Sequence, residues 1–170
     1  MTRVGLIGAG VVGSSWALVF ARAGFEVTVH DADPASAARV PDFVRQALAD
    51  FEAQGLSPPE PAETIAARVH VAADVAEALA GMDYVQESVP ERLAVKTELY
   101  RKLDTLADPQ TVLGSSTSGL PASAFTEGMA TRQRCLVVHP INPPHLIPLV
   151  EIVPAPWTDP DAARRAAELM

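Results

Sequence analysis

The sequence predicts an α/β fold with a doubly wound, mostly parallel sheet and a helical insert after the second strand. Three observations support this prediction. The chain begins with an apolar strand that leads directly into a glycine-rich turn and an amphipathic helix. Short apolar segments then alternate with helical segments, which is typical of folds built from βαβ units. An alanine-rich stretch at residues 34–67 has apolar residues at helical spacing, and it follows the second strand.

The first 31 residues contain a strand, a glycine turn, a helix, a second strand and an acid, in that order. In the turn, Gly8 permits a sharp bend, Gly10 permits close approach of a pyrophosphate, and Gly13 lets the helix pack closely on the strand. The helix N-terminus adds free N–H groups and a partial positive charge. This context makes the motif a Rossmann-type dinucleotide fingerprint. We therefore predict that the cofactor is bound by Gly8, Gly10, Val11, Val12 and Gly13.

The acid at the end of the second strand indicates which dinucleotide binds. Asp31 lies 23 residues after Gly8, where a carboxylate can accept hydrogen bonds from the ribose hydroxyls of NAD. The same charge would repel the 2′-phosphate of NADP. We therefore expect NAD as the cofactor, with an FAD-binding domain as the alternative that the motif leaves open.

Composition bounds the remaining possibilities. The chain has 170 residues, 48% of them apolar, with a net charge of −8, and only two lysines, which argues against nucleic acid or anionic membranes as partners. No apolar run is long enough to cross a membrane. Cys135 is the single cysteine, so we expect neither a disulfide nor a metal site. The first strand begins almost at once, leaving no room for a signal peptide, and we expect a cytoplasmic protein.

The rest of the chain continues the alternation of strands and helices. After a break at residues 55–59, the predicted strands are 69–71, 84–89, 111–113, 134–138 and 149–153. The predicted helices are 62–68, 74–79 with Asp74 as N-cap, one from Pro90-Glu91 to Pro109, and 159–170. His70 lies on a short strand, and we expect it at the surface without a role.

Two loops at strand ends carry polar side chains. The small polar loop 114–119 follows one strand, and His139 ends the next. Ligands of open α/β sheets bind at this edge. Seven of the 15 prolines lie between residues 140 and 160, so Asn142 is on a rigid segment. We predict a preorganised site there, and we expect His145 at the loop surface.

Four segments together resemble a known family: GAGVVGSSWALVFARAGFEV, QESVPERLAVK, SSTSGLP and HPINPPHLIPLVEIVP. The chain resembles the NAD-binding domain of the 3-hydroxyacyl-CoA dehydrogenase superfamily, and more closely its lambda-crystallin and L-gulonate 3-dehydrogenase branch. The resemblance covers the chain except the insert. It implies an NAD-dependent oxidoreductase that oxidises a 3-hydroxy group.

The resemblance also implies roles for six polar residues. His139 would take the proton of the substrate hydroxyl, and Glu151 would hydrogen-bond its other ring nitrogen. Ser118 and Asn142 would hold the substrate oxygen and the nicotinamide end. Glu91 and Lys96 would meet the nicotinamide ribose. The structural alternatives are a strand-end histidine capped by an acid, a turn serine, a loop asparagine and, for the lysine, a solvated charge on a helix surface.

Two departures from the family refine the expected function. Residues 34–70, which contain the insert, have no lysine and only the arginines Arg39, Arg45 and Arg68, whereas lysines hold coenzyme A phosphates in fatty-acid-oxidising relatives. We therefore expect a small 3-hydroxy acid such as L-gulonate. A 3-hydroxyacyl-CoA dehydrogenase of fatty-acid oxidation is the runner-up, and a non-catalytic NAD-binding or structural module is the alternative of another class.

The second departure concerns domain organisation. The family has a C-terminal all-helical domain that closes the cleft and forms the dimer. The residues present, 1–170, correspond to the NAD-binding domain alone. We expect that further domain in the full-length protein, and with it a homodimer.

Overall fold

The computed structural model describes residues 1–56, 58 and 60–170, and its seven strands form one sheet in the order β3-β2-β1-β4-β5-β6-β7. Six strands run parallel, and only β7 is antiparallel to its neighbour. The strands are β1 Arg3–Ile7, β2 Glu26–His30, β3 Val69–Val71, β4 Tyr84–Glu87, β5 Val112–Ser115, β6 Cys135–Pro140 and β7 Val150–Pro154. The predicted doubly wound, mostly parallel sheet is confirmed.

Helices cover both faces of the sheet. The helices are α1 Val11–Arg22, α2 Pro34–Ala38, α3 Val40–Ala53, α4 Ala62–Ala66, α5 Val75–Leu79, α6 Leu93–Leu106, α7 Ala122–Thr126 and α8 Pro160–Leu169. One buried cluster lies under α1, α3, α4 and α8, and the other under α5, α6 and α7. Trp16 and Phe20 of α1 stack with ring centroids 5.0 Å apart in the first cluster. This packing holds α1 against the sheet.

The helical insert after β2 is confirmed and consists of α2, α3 and α4. Asp33 begins it by accepting a hydrogen bond from the Ala35 amide. Gly55, with φ +75°, ends α3. The predicted break at 55–59 is described only in part, because Ser57 and Pro59 lie outside the described residues.

The structure corrects several predicted boundaries at the functional edge. Strand β4 ends at Glu87 rather than at residue 89, and α6 begins at Leu93 rather than at Pro90-Glu91. In the segment between them, the Glu91 carboxylate accepts the Gly119 amide, a contact outside the helix. Strand β5 extends to Ser115, so the polar loop begins at Ser116.

The later part of the chain contains two elements that periodicity did not reveal. The short helix α7 and a 3₁₀ turn at Arg132–Arg134 lie between β5 and β6. Each is too short to show a helical repeat in the sequence. Strand β6 includes His139 and Pro140, which pair with Glu151 and Val150 across the hairpin. His139 is therefore part of strand β6, whereas the predicted strand ended one residue before it.

Candidate functional site

The functional residues converge at the carboxyl edge of the parallel strands. The order of the sheet reverses between β1 and β4, since the chain proceeds outward from β1 in both directions. Such a switch point opens a crevice between neighbouring loops. The loops after β1, β2, β4, β5 and β6 all begin at this edge. The predicted glycine turn, Asp31, the polar loop and His139 thus share one edge.

The three glycines of the turn meet three different surroundings. Gly8 adopts φ +105°, and a Cβ there would lie 2.6 Å from the Ser88 carbonyl oxygen. A Cβ on Gly13 would lie 1.9 Å from the Gly8 carbonyl oxygen, so only glycine permits this packing of α1. A Cβ on Gly10 would meet no atom within 4 Å. Gly10 is therefore not required by the protein's own packing.

The space beside Gly10 lies in front of the α1 N-terminus. Gly10 is the N-cap, and it makes no side-chain hydrogen bond to the helix. The first amides of a helix have no partners within it, so Val11, Val12 and Gly13 present N–H groups toward this space. Open room, free donors and the positive end of a helix fit a pyrophosphate. The structure thus fits the dinucleotide that the sequence predicts.

Asp31 stands at the end of β2 beside this turn. Its Oδ2 accepts the Ala9 amide at 2.6 Å, and its Oδ1 accepts the Asp33 amide at 2.8 Å. A carboxylate oxygen has a second lone pair, so both remain able to accept ribose hydroxyls. A cleft of about 470 Å³ opens beside Asp31 and is lined mainly by apolar residues, including Ile7, Val75, Val89 and Leu99. This cleft suits the adenine end of the cofactor.

We expect Asp31→Ala to weaken NAD binding by roughly ten- to a hundred-fold, because a hydrogen bond to a charged group contributes about 1.5–3 kcal/mol. Asp31→Asn keeps an acceptor but removes the charge, so it should lose less NAD affinity and gain NADP affinity. Calorimetric titration with NAD and with NADP measures both affinities. Thermal unfolding shows whether loss of the Asp31 contact with the Ala9 amide also lowers stability. Equal affinity of the unmutated chain for NAD and NADP would contradict the assignment.

His139 and Glu151 face each other across the β6–β7 hairpin. The histidine Nδ1 lies 2.8 Å from Glu151 Oε2, and the two residues are directly paired in the antiparallel register. This bond places the proton on Nδ1 of the neutral ring and leaves Nε2 as an acceptor. The imidazole side chain is 23% exposed, so Nε2 can meet a ligand. The arrangement is that of a general base with a carboxylate that orients it.

Ser118 and Asn142 lie on the two loops that flank His139, and both are exposed. The loop that carries Asn142 closes where the Ile141 amide donates to the Leu149 carbonyl at 3.0 Å. His145 attaches the same loop to α1, with its Nδ1 2.9 Å from Ser15 Oγ. The expectation that His145 is only a surface residue is wrong. It also contacts the Phe43 and Phe51 rings, and burial and the nearby Arg22 guanidinium lower its pKa.

Glu91 lies just before α6 and Lys96 lies in its first turn, and their surroundings differ. Lys96 is 1% exposed, so the interpretation of a solvated surface charge is wrong. Its Nζ lies 2.7 and 2.9 Å from the two carboxylate oxygens of buried Glu87. Glu91 is half-exposed and bonds Thr117 and Gly119. Burial raises the pKa of Glu91, but these donors and Lys96 outweigh it, so the net pKa lies below its usual range. Contact of either residue with the cofactor stays a prediction.

A partly buried polar network beneath the site was not predicted. Ser116 Oγ lies 2.7 Å from Gln86 Nε2, 2.9 Å from Ser88 Oγ and 3.2 Å from Trp16 Nε1. The network links α1, β4 and the polar loop. The signal for it was the pair Gln86-Glu87 inside a central parallel strand, where apolar residues are expected.

Within the described part of the chain, no three His, Cys, Asp or Glu side chains group together as a metal site would require. No helix among the same residues is long and apolar enough to span a bilayer. His70 lies at the surface as expected, with its Nε2 3.0 Å from Glu26.

Comparison with known proteins agrees with this geometry. The chain is 37% identical to lambda-crystallin of Oryctolagus cuniculus over 97% of its length, covering 52% of that protein. It is 39% identical to the L-carnitine dehydrogenase/betainyl-CoA thioesterase of Ruegeria pomeroyi over its whole length, covering 34% of that protein. The chain thus spans a third to about half the length of these relatives.

Solved structures give the same result. The 3-hydroxybutyryl-CoA dehydrogenase of Escherichia coli K12 superposes with a TM-score of 0.92 at 30% identity, over 99% of this chain and 35% of that one. M. tuberculosis FadB2 superposes with a TM-score of 0.92 at 34% identity, over 99% of this chain and 59% of that one. The sequence model of one family, the NAD-binding domain of 3-hydroxyacyl-CoA dehydrogenase, matches residues 3–170. The chain belongs to this family of NAD-binding domains.

Proposed function

We propose that this chain is the NAD-binding and base-carrying half of a dehydrogenase that oxidises the 3-hydroxy group of a small polar acid. The observation that carries the proposal is the His139–Glu151 pair, joined at 2.8 Å on the hairpin at the edge where the dinucleotide fingerprint also lies. A base near the cofactor half-site is what removal of a hydride from an alcohol carbon requires.

The chain's residues would act in the following way. Val11, Val12 and Gly13 would hold the pyrophosphate of NAD, and Asp31 its adenosine ribose. The bound nicotinamide ring supplies the acceptor for the hydride. His139 Nε2 takes the proton from the substrate hydroxyl, while Glu151 keeps the ring in the required tautomer and stabilises its charged form. Ser118 and Asn142 would hold the substrate oxygen from the flanking loops.

The charges of the insert favour a free acid over a coenzyme A ester. Arg45 is paired with Asp42 at 2.8 Å and with Glu63 at 3.4 Å. Arg68 is paired with Glu60 at 2.5 Å. Neighbouring acids therefore neutralise two of the three cations that could attract phosphates. L-Gulonate is the substrate that the resemblance suggests, and L-carnitine is another, because relatives bear that name.

Two other functions have specific support. A 3-hydroxyacyl-CoA dehydrogenase is favoured by the solved neighbours, one of which is a 3-hydroxybutyryl-CoA dehydrogenase. A non-catalytic NAD-binding or structural module is favoured by the likeness to lambda-crystallin. The presence of both the base and its carboxylate partner argues against a site that has lost catalytic activity.

We also propose a further all-helical domain that closes the cleft and forms the homodimer. Leu146 and Leu149, on the loop that carries Asn142, are 58% and 56% exposed. Apolar side chains exposed beside a site are typical of a covered interface. Without that cover, substrate would not be held in a reactive geometry, and lost positioning can cost up to about 7–11 kcal/mol of barrier.

The test is NADH formation with a panel of free 3-hydroxy acids, including L-gulonate and L-carnitine, beside 3-hydroxybutyryl-CoA. The panel is run with this chain and with any longer form of the protein. We expect both forms to bind NAD, a free acid to have the highest kcat/KM, and the chain alone to turn over poorly.

Three results would contradict these proposals separately. A much higher kcat/KM for the CoA ester would favour the runner-up. NAD binding without turnover in the longer form would favour the non-catalytic module. Comparable kcat from both forms would show that a further domain is dispensable.

A further inference from the structure

The loop that carries Ser118 folds around the Glu91 carboxylate. One oxygen of this carboxylate, Oε1, accepts the Gly119 amide at 3.0 Å and the Thr117 hydroxyl, so it binds the residues on both sides of Ser118. Thr117 is 2% exposed, and its Oγ1 also accepts the Leu120 amide at 2.9 Å. The loop that carries Ser118 is thus held in place by the buried Thr117 hydroxyl and by Glu91 Oε1.

A buried ion pair lies behind this carboxylate. Glu87 is fully buried, and its carboxylate accepts hydrogen bonds from the Val89 amide, the Ser115 hydroxyl and, at both oxygens, Lys96 Nζ. The same Lys96 Nζ lies 3.7 Å from Glu91 Oε2. The lysine therefore connects the fixed carboxylate in the sheet to the half-exposed carboxylate under the loop.

Lys96 has few donors left for a ligand. An ammonium group carries three N–H donors. Two are directed at Glu87, and the third has Ser115 Oγ at 3.4 Å and Glu91 at 3.7 Å. A side chain buried to this extent and paired in this way is suited to holding the two neighbouring carboxylates in place.

We propose that Glu91 is a positioning residue, which fixes Ser118 by holding Thr117 and Gly119, and that the buried Glu87–Lys96 pair keeps Glu91 in place. This inference rests on the proposed function, in which Ser118 holds the substrate oxygen. It differs from a ribose-binding role, because the contact that matters is the one to Thr117. A small displacement of a substrate-holding group can cost about a hundred-fold in rate.

Thr117→Val and Thr117→Ser separate the two roles. Valine matches threonine in shape but lacks the hydroxyl, whereas serine keeps it. We expect Thr117→Val to lower kcat by roughly ten- to a hundred-fold with NAD affinity unchanged, and Thr117→Ser to restore most of the rate. Hydrogen exchange at the Gly119 amide should become faster in the valine variant and remain slow in the serine variant.

Glu91→Ala supplies a second, independent variant, since its side chain is 44% exposed and its loss should not prevent folding. Because both residues act through one loop, the double variant Thr117→Val/Glu91→Ala should lose no more rate than the larger single variant. The proposal would be overturned if the rate losses of the two single variants added in the double variant. It would also be overturned if hydrogen exchange at the Gly119 amide were unchanged in both single variants. The exchange measurement decides this even if no 3-hydroxy substrate is turned over, a result that would instead refute the proposed function.

Discussion

Replacement of His139 by glutamine is expected to lower kcat by about 10²–10⁴-fold in the form of the protein that turns over substrate. Glutamine keeps a polar group of similar reach but cannot accept the proton of the substrate hydroxyl. NAD affinity should barely change, because His139 lies on β6 and not in the glycine turn. Steady-state kinetics and NAD calorimetry together measure both quantities.

Glu151→Gln should also lower kcat, since the charged imidazole loses its neighbouring anion. His70→Gln is the matched control, because His70 also pairs with a glutamate, at 3.0 Å, but lies on β3 away from the site. Full kcat in His139→Gln and Glu151→Gln would place the base elsewhere.

The same small change at Gly10 and at Gly13 should have different consequences. Gly10→Ala should fold normally, because its Cβ meets nothing within 4 Å. The methyl group would occupy the space for the pyrophosphate, and the loss of two hydrogen bonds to a charged group, at about 1.5–3 kcal/mol each, predicts roughly 10²–10⁴-fold weaker NAD binding.

Gly13→Ala should instead reduce the free energy of unfolding. Its Cβ would lie 1.9 Å from a backbone oxygen, and overpacking of this kind costs about 1–3 kcal/mol or more. Thermal unfolding without cofactor separates the two variants, and NAD titration follows. Equal loss of stability in both, or NAD binding by Gly10→Ala at full strength, would refute the assignment of the pyrophosphate position.

Order and type of the major elements could be predicted from the sequence. The glycine turn, the helix after it and Asp31 follow local rules, since each depends on residues within about thirty positions. The N-cap at Asp74 is local in the same way, and its side chain accepts the Glu77 amide at 2.9 Å. Short elements such as α7 were missed because they contain too few residues for a periodic signal.

The pairing of His139 with Glu151 was implied by the family resemblance, not by the spacing of the two residues. The structure supplies its reason: in the β6–β7 register the two residues lie directly opposite each other. The long-range contacts were not predicted in the same way. Ser15 and His145 are 130 positions apart yet lie 2.9 Å from each other.

By itself, the sequence determined that the chain has a dinucleotide half-site and a histidine near the carboxyl end of a strand. Both follow from glycines and strand ends, which depend on neighbouring residues alone. Only the tertiary structure decided what surrounds Glu91 and Lys96. From the sequence, a lysine at a helical position is interpreted as a solvated charge. In the structure, β4 brings Glu87 Oε1 to 2.7 Å from Lys96 Nζ. The physical reason is that burial and ion pairing depend on which segments come into contact. The spacing of residues along the chain does not indicate which distant segments do so.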